Sequence, residues 1–563
     1  MLPAGIRFFR SRFKSFFLLL SAGVLIALII RPWQDYFVLD DWATAWSVEN
    51  FLLTVKVEFM DWSSHYFFTS LFWGALFCLP TGFSLGALHL ATYSLALLGL
   101  WSFYLLLKEL DIAEKPAWLA TFLMGALPPF FLLSMSFMTE VPFWALIQMT
   151  LFCYVVGQKK QREDLIWLGV IFNLLAFFIK QYGITPALAL LVYRMLHRRR
   201  QYVDFVEILP ILTFATLAAT GYLITKTVFG TGAAPTLQPM VLFEYYSGYL
   251  SDVFYKSVRG ALNISLFLFP LSFALFKREK VIKYLWGIAL VGTLGVIGQW
   301  QQFVFPDPIP PSHVFNLLEL GQSRGYISGD FRTRTVPFEA FFIVLGLAMV
   351  SAGILLVTIA ETINQYRKFI SDVHFIVYLH TFLLAIMMAL LWVFSDRYYI
   401  WLMPGLILLC LRNLQMSNAR LLFGFAASAL WMVISITGTL DHISHQKQLL
   451  HAYNDLKVKG NPTTIIDAGY TINGWYAYAH PENLPPGSPP RQNVHSVTGV
   501  NDNPYWILSK SDIPGYQVYK VYPLRRNFWS SSSDVNLLQF KIEVKPPEIE
   551  KKKKKKKKSL NAR

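Results

Sequence analysis

The amino-acid sequence predicts a polytopic α-helical membrane protein. Of its 563 residues, 55% are hydrophobic and 16% are aromatic, whereas only 15% are charged. Soluble domains carry about 25% charged residues. The mean hydropathy is +0.43, and the apolar residues form long stretches separated by short basic clusters. This composition excludes a compact soluble enzyme, a disordered chain and a disulfide-stapled domain.

Apolar stretches of membrane-spanning length recur along most of the chain. A transmembrane helix needs about 20 apolar residues, or about 17 where helices pack. About 13 stretches qualify, and the first is not a cleavable signal, because no small-residue cleavage site follows it. The predicted spans are residues 16–30, 85–107, 118–133, 141–156, 165–179, 184–196, 206–228, 261–276, 284–303, 338–360, 375–394, 398–411 and 421–440.

The basic residues predict the orientation of these spans. Short cytoplasmic loops are enriched in Lys and Arg. Such clusters lie at residues 7–14 and in alternate loops at 159–162, 198–200 and 277–280. The N-terminus is therefore predicted in the cytoplasm and the C-terminus outside. The long loops, which are poor in Lys and Arg, then all face out.

The remaining regions are predicted from their composition. Residues 66–79, in the first outer loop (31–84), are apolar and aromatic and are expected to form a helix in the outer membrane interface. Residues 1–440 are thus the transmembrane domain. Residues 441–545 are expected to form a small extracytoplasmic α+β domain, with strand-like runs at 463–467, 505–508 and 517–522.

Half of the net charge of +16 comes from Lys551–Lys558, so the charge does not indicate nucleic-acid binding. Residues 546–563 are predicted to be a disordered tail, either simply solvated or in contact with anionic lipid headgroups.

Adjacent carboxylates follow the first span. Asp40 and Asp41 raise one another's proton affinity by like-charge repulsion, which suits a general base or a pair of oxygen ligands for a divalent cation. The alternative is an N-cap for a helix beginning at Ala43. Glu140, between the third and fourth spans, is a further candidate carboxylate. It alternatively complements the dipole of the helix whose first turn it occupies.

Two cations are predicted on the same outer face. Lys180 and Arg397 could hold a phosphate, or their side chains could extend to lipid headgroups. His65, Tyr182 and Tyr398 are weaker candidates. A carboxylate that activates a nucleophile, beside a cation that stabilises a departing phosphate, is what a transferase with a lipid-linked phosphate donor needs.

Sequence motifs narrow the function classes. No Walker loop, dinucleotide fingerprint or His-Glu-x-x-His motif is present, so nucleotide-driven pumps and zinc hydrolases lack support. A transporter or flippase of lipid-linked glycans is the main alternative to a transferase, although the sequence lacks the internal repeats typical of transporters. A non-catalytic scaffold is a third reading.

Taken in order, the motifs resemble those of the GT-C membrane glycosyltransferases, specifically the bacterial family 39 proteins related to protein O-mannosyltransferases and the lipid A aminoarabinose transferase. The resemblance covers about residues 31–522. It is carried by Leu-Asp-Asp-Trp at 39–42, Phe-Met-Thr-Glu-Val-Pro-Phe at 137–143, and the segments 178–183, 396–404 and 466–475.

The resemblance implies a GT-C fold and a catalytic centre. Asp40 corresponds to the family's usual base, with Asp41 beside it, and Glu140 stands where the family typically has Asp. His65 matches the start of the family's interfacial helix without its two prolines. Some relatives bind a divalent metal (Mg, Mn or Zn), which would here lie near Asp41 and Glu140.

The resemblance also implies the substrates. The donor is expected to be a polyprenyl-phosphate sugar, with its phosphate at Lys180 and Arg397. The reaction is expected to invert the anomeric carbon and to transfer the sugar to a hydroxyl of a lipid, glycan or protein. The protein is expected to be a monomer in the bacterial inner membrane, with its active site outside the cytoplasm.

Overall fold

The computed structural model is predominantly helical, as the sequence predicts. It describes residues 4–60, 66–197, 205–229, 249–304, 315–316, 321–322, 338–365, 372–390, 396–412, 416–484, 504–509, 512–523 and 534–540. The predicted site residue His65 and the lysine run Lys551–Lys558 lie outside these ranges.

The helices are numbered here in chain order. The first nine are α1 (Ala4–Ile30), α2 (Asp41–Thr54), α3 (Phe68–Cys78), α4 (Leu85–Glu109), α5 (Glu114–Ala126), α6 (Pro128–Ser134), α7 (Glu140–Lys160), α8 (Glu163–Phe177) and α9 (Ile184–Leu196). The others are α10 (Phe205–Phe229), α11 (Tyr249–Phe267), α12 (Phe269–Leu275), α13 (Val281–Val304), α14 (Phe338–Gln365), α15 (His374–Ala389), α16 (Met403–Leu411), α17 (Asn418–Val458) and α18 (Tyr470–Asn473).

The described part of each of the 13 predicted spans falls largely on helix, but the helices differ in length. Among the described residues, six helices are long and apolar enough to cross a membrane, namely α1, α4, α7, α10, α14 and α17. The pair α5 and α6 would make a seventh, bent by 66°, where Pro128 and Pro129 begin α6 and proline cannot continue a preceding helix. The other predicted spans fall on helices outside this set, so the count of about 13 stays a prediction.

The predicted span 398–411 is wrong as one continuous α-helix. A 3₁₀ helix, Asp396–Trp401, comes first and leaves only nine residues to α16. A run of apolar and aromatic residues has the same hydropathy in either kind of helix, so composition does not reveal the break. This turn carries Arg397.

The centre of the helical domain is built around α7, which is enclosed on nearly all sides. Gly99 of α4 allows close approach, because a Cβ there would lie 2.6 Å from the Trp144 ring and 2.8 Å from the backbone of Ala145. The Trp144 ring also meets the edge of Phe130 at a centroid distance of 4.8 Å. This packing fixes the N-terminus of α7, where Glu140 lies.

The first outer loop contains two short helices. The 11-residue α3 is too short to cross a membrane, and it packs against the bundle through the Trp73 indole N–H, which donates to the Ala91 carbonyl of α4 at 2.9 Å. The helix predicted from Ala43 begins at Asp41 instead, and the Asp40 side chain makes no capping hydrogen bond. Asp40 therefore occupies the N-cap position of α2 without capping the helix through its side chain.

The helix α17 continues without a break from the helical domain into the C-terminal domain. The 41 residues of α17 span about 60 Å at 1.5 Å per residue, and the predicted domain boundary at residues 440 and 441 lies inside this helix. Beyond it, the described residues form the expected α+β structure.

Four strands make the sheet of this domain. They are β3 (Ile466–Asp467), β4 (Trp506–Ser509), β5 (Tyr516–Tyr522) and β6 (Val535–Phe540), in the order β3-β4-β6-β5. The first pair is parallel, and the others are antiparallel. The sequence predicts the first three strands approximately and misses β6. A separate antiparallel pair, β1 (Phe315–Asn316) and β2 (Gly321–Gln322), comes between α13 and α14 in the sequence.

Candidate active site

Four charged side chains from four separate segments meet at one place. The Arg397 guanidinium joins the two carboxylates, with Nη1 3.3 Å from Oδ2 of Asp40 and Nε 3.5 Å from Oε1 of Glu140. The same Glu140 oxygen lies 3.4 Å from Nζ of Lys180. Asp40 and Arg397 are 357 residues apart in sequence. The structure thus brings together four of the residues that the sequence singles out.

The backbone around Asp40 holds its side chain in place. Leu39, directly before it, has a φ of 54°, a left-handed conformation that is unusual for a residue with a branched side chain. The Thr44 hydroxyl of α2 donates to the carbonyl of Phe137 at 2.9 Å. This bond ties the Asp40 segment to the connection that precedes Glu140.

The two cations lie against a wall of aromatic rings. Lys180 is an extended residue after α8, and its Nζ is 5.5 Å from the Trp401 ring centroid and 5.8 Å from that of Tyr398. These two rings stack at 4.9 Å, and Tyr182 packs on Trp401 at 5.8 Å. Cations are attracted to aromatic faces. Tyr182 and Tyr398 therefore lie beside the charged cluster.

Burial separates the four charged residues. Glu140 is 1% exposed, Lys180 5% and Arg397 9%, whereas the Asp40 side chain retains 31% of its exposure. Buried charges are costly unless they are paired, and here two cations balance two carboxylates. Because Lys180 and Arg397 are buried in ion pairs, the alternative in which they extend to lipid headgroups is wrong. Asp40 is the most accessible of the four.

Asp41 has different surroundings from Asp40. It is fully buried, and its Oδ2 lies 3.8 Å from Nε2 of His89, whose Nδ1 is 3.0 Å from the Pro32 carbonyl. Burial raises the pKa of Asp41, and the neighbouring His89 partly offsets this rise. The sequence predicts that repulsion between the neighbouring carboxylates raises proton affinity. In the structure, the main cause of the raised pKa of Asp41 is burial.

Three residues at or near the site were missed as candidates from sequence. The Tyr470 hydroxyl donates a hydrogen bond to Oδ1 of Asp40, and the Trp401 indole N–H donates to the Glu140 carbonyl at 3.2 Å. His89 lies inside a predicted span and faces Asp41. Tyr470 and Trp401 both stand within the motifs at 466–475 and 396–404, whereas His89 could have been noticed as an ionisable group at membrane depth.

The donor groups near Asp41 and Glu140 do not fit a divalent metal well. In the described part of the chain, no three His, Cys, Asp or Glu side chains come together as a metal-ligating group. The Oε1 atom of Glu140 already faces two cations, which would repel a divalent ion. Asp41 and His89 alone supply only two ligands. The metal stays a prediction, and no step proposed below depends on it.

Comparison with known proteins gives remote structural similarity. The chain is similar to ArnT from Cupriavidus metallidurans in the apo state, with a TM-score of 0.37 and 11% identity over 94% of this chain and 98% of that chain. For ArnT bound to undecaprenyl phosphate, the TM-score is 0.39 at 12% identity, over 92% and 97%.

A second protein is also similar. The archaeal oligosaccharyltransferase AglB from Archaeoglobus fulgidus, in complex with an inhibitory peptide and a dolichol-phosphate, has a TM-score of 0.40 at 13% identity, over 80% of this chain and 59% of that chain. No protein-family model and no curated protein matches the chain.

Proposed function

We propose that this protein is an inverting glycosyltransferase that moves a sugar from a polyprenyl-phosphate donor to an acceptor hydroxyl at the outer face of the membrane. One observation carries the proposal: an accessible carboxylate, Asp40, shares Arg397 with a buried Glu140–Lys180 pair. A base and two phosphate-binding cations within one cluster are the groups that such a transfer requires.

Asp40 is the proposed general base. The acceptor hydroxyl donates its hydrogen to the Asp40 carboxylate while its oxygen attacks the anomeric carbon of the donor sugar. The bond from that carbon to the phosphate oxygen breaks in line, so the configuration inverts and polyprenyl phosphate leaves. The proton ends on Asp40, and the electron pair of the broken bond leaves with the phosphate. The donor's own phosphate linkage supplies the driving force.

Arg397 and Lys180 are the proposed phosphate ligands. Arg397 offers a fork of N–H donors, and Lys180 a compact positive charge. Both stabilise negative charge that grows on the phosphate as the bond breaks. Arg397 also touches Asp40, so one side chain links the base to the leaving group.

Glu140 is the proposed organiser of the two cations. Its Oε1 atom lies within 3.5 Å of both, which holds them on one side of the site. Its other oxygen, Oε2, is buried and makes no hydrogen bond within the described residues. An unsatisfied buried carboxylate oxygen is costly, and a hydroxyl of the donor sugar would satisfy it.

The test is glycosyl transfer by the purified protein in lipid. The donors are a panel of radiolabelled polyprenyl-phosphate hexoses and pentoses, and the acceptors are total membrane lipids and glycans. We expect Asp40→Asn to lower transfer at least about 100-fold, the usual contribution of a general base, with donor binding retained. Asp35→Asn is the matched control, because Asp35 lies in the same loop and accepts from the Gly86 backbone at 3.3 Å; it should transfer normally.

Two outcomes would contradict the proposal. Equal transfer by wild type and Asp40→Asn would remove Asp40 as the base. Absence of transfer from every donor, together with movement of the lipid-linked sugar between leaflets, would establish the alternative of a transporter or flippase.

A further inference from the structure

Tyr470 brings a hydroxyl from the C-terminal domain to the proposed base. Its Oη donates a hydrogen bond to Oδ1 of Asp40, a residue 430 positions earlier. The other carboxylate oxygen, Oδ2, faces Nη1 of Arg397 at 3.3 Å. Each oxygen of Asp40 therefore has a defined neighbour, a hydroxyl on one and a cation on the other.

The position of Tyr470 is fixed by the packing of residues 470–480, which we call the 470–480 segment. Gly474 lies so close to Trp42 that a Cβ there would be 2.5 Å from the indole ring. The Trp475 ring stacks on Phe83 at 5.9 Å. At the end of the segment, Nε2 of His480 lies 3.1 Å from Oε2 of Glu49 in α2. The segment therefore docks on the first outer loop through several independent contacts.

The chemistry of the base identifies which Asp40 oxygen must take the proton. A general base accepts a hydrogen bond of about 2.6–3.2 Å from the hydroxyl that it deprotonates. The Arg397 guanidinium already occupies Oδ2, with Nη1 3.3 Å from it. The acceptor's proton should therefore arrive at Oδ1, and that oxygen is the one that the Tyr470 hydroxyl faces.

We propose that the acceptor hydroxyl replaces the Tyr470 hydroxyl on Oδ1 of Asp40, so that Tyr470 competes with the acceptor for the base. This inference rests on the proposed function and adds to it a residue that controls access of the acceptor to Asp40. A phenol and an alcohol both offer one O–H donor. The Tyr470 hydroxyl therefore makes the hydrogen bond to Oδ1 that an acceptor hydroxyl makes when it binds.

The same contact shields Asp40 from water. Without an acceptor, a water molecule on Oδ1 could give its proton to Asp40 and its oxygen to the anomeric carbon, releasing free sugar and polyprenyl phosphate. The Tyr470 hydroxyl occupies that position and suppresses this hydrolysis. Tyr470 thus affects both the apparent affinity for the acceptor and the loss of donor to water.

The test compares Tyr470→Phe with wild type in the transfer assay. Loss of a hydrogen bond to a charged group changes an equilibrium constant about tenfold or more. Because the variant has no hydroxyl to compete with the acceptor, we expect the acceptor KM to fall by up to about tenfold, with the donor KM unchanged. Hydrolysis of the donor without acceptor should rise. The matched control is Tyr476→Phe, in the same segment, whose ring stacks on Tyr453 at 4.7 Å; it should change neither quantity.

Two results would overturn the inference. A lower kcat with an unchanged acceptor KM would mean that Tyr470 orients the Asp40 carboxylate. Unchanged kinetics and hydrolysis would mean that the contact has no role in the reaction. Phenylalanine keeps the ring, and an unchanged melting temperature would show that packing is intact. If wild type transfers nothing from any donor, the proposed function has failed, which is a different outcome from either of these.

Discussion

At the residue scale, Asp41 and His89 form a buried pair, with Oδ2 of Asp41 3.8 Å from Nε2 of His89. The Pro32 carbonyl can only accept a hydrogen, so the Nδ1 atom of His89 that faces it carries one. Neither carboxylate oxygen of Asp41 makes a hydrogen bond among the described residues. Burial raises the pKa of Asp41, because it disfavours the charged carboxylate.

This pairing predicts that Asp41→Asn is tolerated. An amide matches the shape of a neutral carboxylic acid and can donate to Nε2 of His89 in its place. We expect the variant to transfer at close to the wild-type rate, whereas Asp41→Ala lowers the melting temperature because it leaves a cavity and an unsatisfied imidazole. Transfer rate and thermal melting measure these effects. Loss of activity in Asp41→Asn as severe as that in Asp40→Asn would show that the reaction needs an ionised Asp41.

Lys180 and Glu140 carry opposite charges, so removing each charge should change the affinity for polyprenyl phosphate in opposite directions. Removing the Lys180 charge with Lys180→Gln should raise the Kd for polyprenyl phosphate by at least about tenfold, since a charged hydrogen bond contributes roughly 1.5–3 kcal/mol. Removing the Glu140 charge with Glu140→Gln should lower this Kd, because two buried cations lose the anion that lies within 3.5 Å of both. Binding of radiolabelled polyprenyl phosphate to the protein in lipid gives both values.

A control separates the local charge effect from general damage. Glu361→Gln neutralises a carboxylate that pairs with Lys280 and Lys283, away from the cluster, and should leave the Kd unchanged. If Lys180→Gln and Glu140→Gln both weaken binding, then the pair maintains local structure and does not set the charge that the phosphate meets.

At the element scale, the 470–480 segment depends on a glycine. Gly474→Ala places a Cβ 2.5 Å from the Trp42 ring, and overpacking of this kind costs about 1–3 kcal/mol. We expect a lower melting temperature and reduced transfer, since Trp42 lies two residues after Asp40. Gly438→Ala in α17 is the control, because nothing lies within 4 Å of a Cβ there. Equal melting temperatures for the two variants would contradict the tight docking of this segment.

Hydropathy predicts the positions of the helices well and their continuity poorly. The break before α16 and the bend between α5 and α6 come within uniformly apolar sequence. The start of α2 is also displaced, because Asp41 is already helical although Asp resembles a cap residue. The missed strand β6 contains a single β-branched residue, Val535, so its local preference for a strand is weak.

At the scale of the whole molecule, the sequence predicts which residues form the site but does not predict which of them contact one another. Charged residues at membrane depth are costly, which is why Glu140, Lys180 and Arg397 stand out in the sequence. Which charge pairs with which depends on contacts between distant segments, such as the one between Asp40 and Arg397. The bond from Tyr470 to Asp40 shows the limit most clearly, since it crosses from one predicted domain to the other.

The proposed reaction also needs a defined orientation of the whole chain, because Asp40 must face outwards. The distribution of Lys and Arg predicts that the first outer loop and the segment around Arg278 lie on opposite sides of the membrane. Cys78, Cys153 and Cys410 are all buried, and burial raises the pKa of the Cys78 thiol. The native thiols should therefore react slowly with maleimides, which makes single introduced cysteines suitable reporters.

We predict that a membrane-impermeant maleimide labels Lys56→Cys from the outside and Arg278→Cys only from the inside. Both side chains are exposed in the structure, so their difference in labelling reports the side of the membrane and not burial. Right-side-out and inverted membrane vesicles give the two directions, with the unsubstituted protein as background. If both positions label from the same side, an odd number of the predicted spans between them is misassigned. If Lys56→Cys labels only from the inside, Asp40 faces the cytoplasm and the proposed transfer at the outer face is wrong.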